Sequence, residues 1–198
     1  MSIAPVDRAA ILVVAAGDVP AQAWRNGGGQ TRELLAWPSG EAWRVRVSRA
    51  DIDRDGPFSA FPQVDRWFAV LQGAGVALQW PHGERSLRTG DDAVHFDGAA
   101  APGCRLLDGP TQDLNLMLRG AAGVLQRWQA GQPWDAGFSQ CGLYTTVEGQ
   151  WQCGQLLRDL PAHSLLWTWS GPPGAWTFTP KHVQPPGAAW WLGVTLQD

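Results

Sequence analysis

Positive charge is scarce in this sequence. Lys181 is the only lysine among the 198 residues, and the formal net charge is −3. Proteins that bind nucleic acid through its phosphates present clustered lysine and arginine side chains. The sequence contains no such basic stripe, so we expect no nucleic-acid partner.

Long apolar runs and paired cysteines are also missing. No stretch of about 18 apolar residues occurs, and the first residues lack a basic segment followed by an apolar one. We therefore expect neither membrane insertion nor secretion. Cys104, Cys141 and Cys153 are odd in number and widely spaced. This pattern favours reduced, buried thiols in a cytoplasmic protein over a disulfide framework or a zinc site.

Turn-forming residues are abundant instead. The 24 glycines and 15 prolines separate short apolar runs, which favours many short strands and little helix. Residues 67–80 predict a hairpin of two strands around the turn that contains Gly73 and Gly75. Further strands near 85–88 and 93–96 are expected to extend the hairpin into an antiparallel meander.

A similar layout recurs near the C-terminus, in residues 166–192. Superposing Gly73 on Gly171 places Gly90 within one residue of Gly187, an offset of 97 to 98 residues. A repeat of about half the chain length indicates duplication. The order of strands and turns predicts an all-β bicupin, in which two RmlC-like jelly rolls (double-stranded β-helices) occupy residues 1–119 and 120–198. An ordinary β-sandwich is the alternative.

The two predicted barrels differ in composition. Residues 120–198 carry only seven of the 33 charged side chains but eight of the 13 tryptophans. We therefore expect a polar site in the first barrel and a structural role for the second. Its tryptophans are expected to fill the interior or to seal the contact between the barrels. A surface of exposed tryptophans that binds carbohydrate or protein is the alternative.

Metal ligands are not grouped in the sequence. Cupin metal sites use two histidines one residue apart, whereas no two of the four histidines here are closer than 13 residues. Residues 51–56 resemble the opening of an EF-hand loop, but the twelfth position, where a glutamate is required, is Pro62. We expect no metal ion and no other cofactor.

A triple glycine lies within the segment from Asn26 to Thr31. It lacks the Lys-Ser/Thr pair that follows the last glycine of a phosphate-binding loop. Because three glycines are costly to order, we interpret the segment as a bent loop that brings backbone close to a ligand. A flexible linker is the alternative.

Two predicted strands have one polar and one apolar face. Arg44, Arg46 and Ser48 alternate with Trp43, Val45 and Val47. Along the second strand, Asp113 and Asn115 alternate with Leu114, Leu116 and Leu118. The pattern leaves open whether the polar faces point into a barrel or into water.

Several of these segments together resemble the HutD/Ves family. The resemblance is carried, in the family's order, by Trp24-Arg-Asn-Gly-Gly-Gly-Gln-Thr-Arg-Glu33, Arg46-Val-Ser-Arg-Ala50, Gly56-Pro-Phe-Ser-Ala-Phe-Pro62, Asp65-Arg66 and Asp113-Leu-Asn-Leu-Met117. It covers residues 24–119, whereas the second half is similar only in general layout. Val45 departs from the aromatic residue that the family usually has before its strand arginine, which leaves the choice between Arg44 and Arg46 open.

The resemblance implies a metal-free bicupin associated with histidine utilisation, which binds a carboxylate-bearing pathway intermediate such as formylglutamate or urocanate and restrains induction. A guanidinium binds a carboxylate through two parallel hydrogen bonds, and without ligand we expect Arg46 to pair with Glu33 or Asp113. A homodimer is left open. The expected ligand-binding residues are Trp24, Asn26, Gly29, Thr31, Glu33, Arg46, Ser48, Phe58, Ser59, Arg66, Asp113 and Asn115.

Catalysis without a metal is the competing hypothesis. Cupins also include isomerases and hydrolases, and Glu33 or Asp113 would then act as a general base on a small carboxylate substrate.

Overall fold

A computed structural model describes residues 11–135, 137–170, 174–182 and 187–197. Within these residues the chain forms strands connected by loops and two short 3₁₀ helices, Ala16–Asp18 and Gly98–Ala100. The predicted all-β character is therefore confirmed. The strands arrange into four sheets, two built mainly from each half of the chain.

The first half contributes a six-stranded and a four-stranded sheet. The strand order of the larger sheet is β2-β3-β4-β11-β6-β9, and that of the smaller sheet is β5-β10-β7-β8. The strand bounds are β2 Gln22–Ala23, β3 Gly29–Trp37, β4 Val45–Ile52, β5 Gly56–Pro57, β6 Asp65–Gln72, β7 Val76–Trp80, β8 Gly83–Leu87, β9 Val94–Asp97, β10 Gly103–Leu106 and β11 Thr111–Leu118.

The second half contributes a five-stranded and a three-stranded sheet. Their orders are β1-β16-β13-β18-β12 and β15-β14-β17. The strand bounds are β1 Ile11–Ala15, β12 Ala121–Arg127, β13 Gln140–Thr145, β14 Gly149–Cys153, β15 Leu156–Leu160, β16 Ser164–Thr168, β17 Trp176–Pro180 and β18 Ala189–Leu196. Strand β1 lies within the predicted first barrel in sequence but pairs with β16. The division at residue 119 stays a prediction.

The same strand order occurs in both halves. The order β4-β11-β6-β9 corresponds to β12-β18-β13-β16, and β8-β7-β10 corresponds to β15-β14-β17. This correspondence matches β6 with β13, whose first residues, Asp65 and Gln140, are 75 residues apart. The offset of 97 to 98 residues inferred from the glycines is therefore wrong. The Gly171 turn itself lies outside the described residues.

The predicted meander is confirmed only for the antiparallel pair β7–β8, and its other two pairings are wrong. Strands β6 and β7 belong to different sheets, and β9 pairs with β6 rather than with β8. Gly73 (φ +95°) and Gly75 (φ +104°) lie in the crossing between the sheets, where a Cβ on Gly75 would overlap the carbonyl oxygen of Leu87. Glycine is required here because the backbone passes very close to another strand.

The largest apolar cluster lies between the six-stranded and five-stranded sheets. Val45, Val47 and Leu116 from the first half are fully buried against Trp167 and Trp190 from the second. The apolar faces of β4 and β11 therefore pack against the other half of the protein. By alternation, their polar faces point into the space between the six-stranded and four-stranded sheets.

The interior of the second half is filled by aromatic rings. Trp134 stacks on Trp191 with ring centroids 5.3 Å apart, and Trp151 meets Trp176 edge-on at 4.9 Å. All four are buried, in a cluster that also contains Cys141 and Cys153. Trp167 and Trp190 lie in the interface between the halves instead. These tryptophans therefore both fill the interior and seal the contact, and those named here offer no exposed binding surface.

Candidate ligand-binding cavity

A cavity of about 610 Å³ lies on the polar face of the six-stranded sheet. Strands β4 and β11 contribute its floor, and the loop before β3 and the segment after β5 contribute its walls. Its lining residues are Gln22, Ala23, Trp24, Arg25, Asn26, Thr31, Arg46, Ser48, Ala50, Pro57, Phe58, Ser59, Ala60, Phe61, Arg66, Asp113, Asn115 and Met117.

Ten of the twelve residues expected to bind ligand line this cavity. The exceptions are Gly29 and Glu33. Glu33 lies beside the cavity because its carboxylate contacts Arg46. Gly29 is pressed against β4, where a Cβ would overlap the carbonyl oxygen of Asp51, so its small size serves packing of β3 on β4. The binding role of all twelve stays a prediction.

Eight further lining residues were not singled out by sequence reasoning. Ala50 and Met117 continue the alternation of Arg46–Ser48 and Asp113–Asn115, so strand parity alone would have found them. Arg25, Pro57, Ala60 and Phe61 lie in segments already noted for their resemblance. The remaining two, Gln22 and Ala23 of β2, carry no sequence signal.

The choice between Arg44 and Arg46 is decided by their positions. Arg46 lines the cavity, and its Nε donates to Oε2 of Glu33 at 2.7 Å. This confirms the expected pairing with Glu33. Arg44 donates instead to the backbone carbonyl oxygens of Gly120 and Gln197, away from the cavity.

Arg66 is the most deeply buried arginine side chain of the cavity, with 7% of its surface exposed. Its guanidinium carbon lies 4.4 Å from the ring centroid of Phe58 and 5.4 Å from that of Phe96. Its Nε donates to Oδ1 of Asn115 at 2.8 Å. Among the described residues it forms no ion pair, so its terminal nitrogens have no carboxylate partner there.

The carboxyl group of Asp113 completes a chain of polar groups on β11. Asn115 donates from Nδ2 to Oδ1 of Asp113, so its amide links the arginine to the acid. Asp113 is 1% exposed, and burial raises its pKa to about 8, against the opposing effect of Arg66. Burial also lowers the pKa of Arg66 to about 10. At neutral pH the carboxyl is therefore mostly protonated and Arg66 stays charged.

The triple-glycine loop is held in place by hydrogen bonds. Trp24 donates from Nε1 to Thr31 Oγ1 at 2.7 Å, and Asn26 Oδ1 accepts from the amide of Gly28 at 3.0 Å. The carbonyl oxygen of Gly28 accepts from the backbone of Asp53 at 2.9 Å. These contacts support the prediction of a bent loop beside the cavity and are not those of a flexible linker.

Metal-binding geometry is not found in the described part of the chain. No group of three or more histidine, cysteine, aspartate or glutamate side chains is placed there to hold an ion. Within the same residues, no helix has the length and apolar character required to cross a membrane. The three cysteines are buried.

The sequence matches the HutD family over residues 16–178. The chain belongs to this family. It is 31% identical over 150 residues to Protein Ves of Cronobacter sakazakii, covering 75% of this chain and 82% of the relative. It is 35% identical over 137 residues to an uncharacterized 21.2 kDa protein from the hutC 3′ region of Pseudomonas putida, covering 67% of each. The family is linked to histidine utilisation by its name and by this gene context.

Solved structures agree with this assignment. HutD from Pseudomonas fluorescens SBW25 superposes with a TM-score of 0.81 at 26% identity, covering 96% of this chain and all of that chain. Oxalate decarboxylase from Bacillus subtilis, a cupin, superposes with a TM-score of 0.58 at 9% identity, covering 94% of this chain and 77% of that one. The second likeness shows the fold alone, and that fold is cupin-like.

Proposed function

We propose that this HutD-family chain is a cytoplasmic, non-catalytic binding protein for a small carboxylate-bearing intermediate of histidine utilisation, such as formylglutamate or urocanate. Binding in the cavity of the first half would modulate the use of histidine. The family's link to that pathway supports the choice of ligand.

The observation that carries the proposal is the state of Arg66. A guanidinium taken out of water loses hydration free energy, and proteins normally compensate by pairing it with a carboxylate. Arg46 has such a partner in Glu33. Among the described residues, Arg66 contacts the neutral amide of Asn115 and the faces of Phe58 and Phe96, and it forms no ion pair although it lines the cavity. A ligand carboxylate would supply the missing counter-charge through a bidentate contact.

The competing enzymatic hypothesis receives less support. Asp113 is 1% exposed, and its carboxyl already accepts from Asn115. Glu33 is held by Arg46. A general base must be ionised and within reach of the substrate proton, and both carboxyl groups are otherwise engaged.

The repeated strand order supports a duplicated cupin as the framework for this function. In such a bicupin the aromatic-filled second barrel would act as packed support. The first barrel alone would retain an open polar interior.

Isothermal titration calorimetry with formylglutamate, urocanate, formiminoglutamate and histidine tests the proposal. We expect at least one carboxylate to bind the wild-type chain and to lose about 100-fold in affinity in Arg66→Met, the scale of a lost charged hydrogen-bond pair. Arg105→Met is the matched control, because Arg105 is half-exposed and its ion pair with Glu84 lies outside the cavity. The proposal is overturned if none of the four compounds binds, or if Arg66→Met and Arg105→Met lose the same amount of ligand affinity.

A further inference from the structure

A second polar cleft lies on the opposite face of the six-stranded sheet. Its volume is about 550 Å³, and it is located at the end of the apolar interface between the two halves. We call it the junction cleft. It is lined by Gln30, Arg49, Asp51, Asp53, Gln72, Gly73, Pro110, Thr111 and Gln112.

Two of its residues come from the same sequence segments that build the first cavity. Gln30 precedes Thr31 on β3, and Arg49 follows Ser48 on β4. Because side chains alternate along a strand, these segments serve both faces of the sheet. The function proposed above uses only one of the two faces.

Arg49 has a hydrogen-bond partner for a terminal nitrogen of its guanidinium group but not for its Nε. Its terminal nitrogen donates to Asp51 Oδ1 at 2.9 Å, and Gln30 Nε2 donates to Asp51 Oδ2 at 3.0 Å. The Nε of Arg49 is buried without a hydrogen-bond partner among the described residues. The buried Oε1 of Gln112, on the neighbouring strand opposite Asp51, likewise has none.

The second half of the chain adds two further unpaired groups nearby. The hydroxyl of Tyr144 and Nδ1 of His163 are buried without a hydrogen-bond partner in the described residues. Arg49 and Asp51 act on both groups electrostatically, although burial is the main cause that raises the pKa of Tyr144 and lowers that of His163. Each buried unpaired polar group costs roughly 1–3 kcal/mol. Two of the nine such atoms in the described residues, Arg49 Nε and Gln112 Oε1, belong to side chains that line the cleft.

The charges of the cleft select the kind of molecule that fits. Arg49 is positive, whereas Asp51 and Asp53 are negative, and three glutamine amides both donate and accept. Arg49 and Asp51 form an ion pair and Asp53 adds a further negative charge, so a simple anion would be repelled, whereas an ammonium group would be attracted to Asp53. A molecule that carries both charges satisfies both sets of groups.

We propose that the junction cleft binds a small zwitterion of the α-amino-acid type. Its carboxylate would accept from the guanidinium of Arg49, and its ammonium would donate to the side chains of Gln112 and Asp53. This site is independent of the carboxylate site at Arg66, because the two lie on opposite faces of the sheet.

Titration followed by ¹H–¹⁵N spectra of the arginine Nε–H groups tests this site. The Arg49 signal is assigned by its absence in Arg49→Lys. Glycine and L-glutamine are the probes, and acetate and methylammonium each carry one of the two charges. We expect glycine or L-glutamine to shift the signal saturably, with affinity at least about tenfold higher than that of acetate or methylammonium.

Variants separate this site from the first cavity. Gln112→Leu should weaken zwitterion binding about tenfold, whereas Arg66→Met, at a side chain on the other face of the sheet, should bind the zwitterion as the wild type does. Thermal unfolding verifies that each variant is folded. The inference is overturned if no amino-acid probe shifts the Arg49 signal, if acetate binds equally well, or if Gln112→Leu binds like the wild type.

Discussion

The Nε of Arg66 lies 2.8 Å from Oδ1 of Asn115, and the same amide donates to the carboxyl of Asp113. A neutral group is thereby placed between the buried arginine and the nearest buried acid. Direct pairing with Asp113 would neutralise Arg66 within the protein. The intervening amide instead accepts a hydrogen bond from the guanidinium without neutralising its charge.

Replacing this neutral spacer with an acid should abolish carboxylate binding. In Asn115→Asp the new carboxylate lies within hydrogen-bond distance of Arg66, and the protonated Asp113 can donate to it. We expect a loss of at least about 100-fold in ligand affinity with a folded chain, measured by calorimetry and circular dichroism. Gln152→Glu, a change of the same charge at an exposed position of the second half, is the control. Retained binding in Asn115→Asp would contradict this role.

The raised pKa of Asp113 should make the free protein less stable at alkaline pH. The folded chain holds this proton up to about pH 8, whereas an unfolded chain releases it near pH 4. The stabilising contribution is therefore complete below about pH 4 and is lost as pH rises through 8. We expect the free energy of unfolding, measured with urea between pH 5 and pH 9, to fall less steeply with pH in Asp113→Asn than in the wild type. The two slopes should differ by at most about 1.4 kcal/mol per pH unit. Parallel curves for the two proteins would show that Asp113 is ionised when buried.

The aromatic interior of the second half should be required for stability and not for ligand binding. Trp191 is buried and stacked on Trp134, so Trp191→Ala leaves a large cavity. We expect a loss of about 3–5 kcal/mol in the free energy of unfolding, measured with urea. Leu157→Ala, at a side chain that is 46% exposed, should change it by less than about 0.5 kcal/mol. If folded Trp191→Ala lost ligand affinity, the second half would contribute to the site.

The crossing between sheets should not tolerate a side chain at Gly75. Alanine there combines a φ of +104° with overlap against the Leu87 carbonyl, so we expect a loss of more than about 2 kcal/mol. Gly109→Ala also has a positive φ, +73°, but meets nothing within 4 Å, and should cost only about 1 kcal/mol. Equal melting temperatures for the two variants would argue against the close approach at Gly75.

Part of the candidate site followed from local patterns, and its electrostatics did not. Alternation grouped Arg46 with Ser48 on one strand and Asp113 with Asn115 on another, but left open where these faces point. The structure pairs the two strands and brings the faces together in the cavity, whereas Trp24, Phe58 and Arg66 were expected there from the family resemblance alone. Which arginine lacks a counter-charge depends on a β-bulge between Glu33 and Leu35 and on contacts across strands. Neither is encoded in the spacing of residues along the chain.

The topology was predicted less well for a related reason. A glycine with positive φ suits a hairpin and a crossing between sheets equally, so Gly73 and Gly75 could not distinguish the two. The outcome is decided by segments distant in sequence, including Leu87 and Pro110, which the crossing backbone approaches. The same ambiguity led the glycine-based superposition of the two halves to a wrong offset.

The central claim is that Arg66 binds the carboxylate of the ligand directly. The most direct measurement compares the affinity of the bound acid with that of its methyl ester, in the wild type and in Arg66→Met. We expect esterification to weaken binding about 100-fold in the wild type and less than about threefold in Arg66→Met, because the variant has already lost the partner of that charge. An equal loss on esterification in both proteins would contradict the claim.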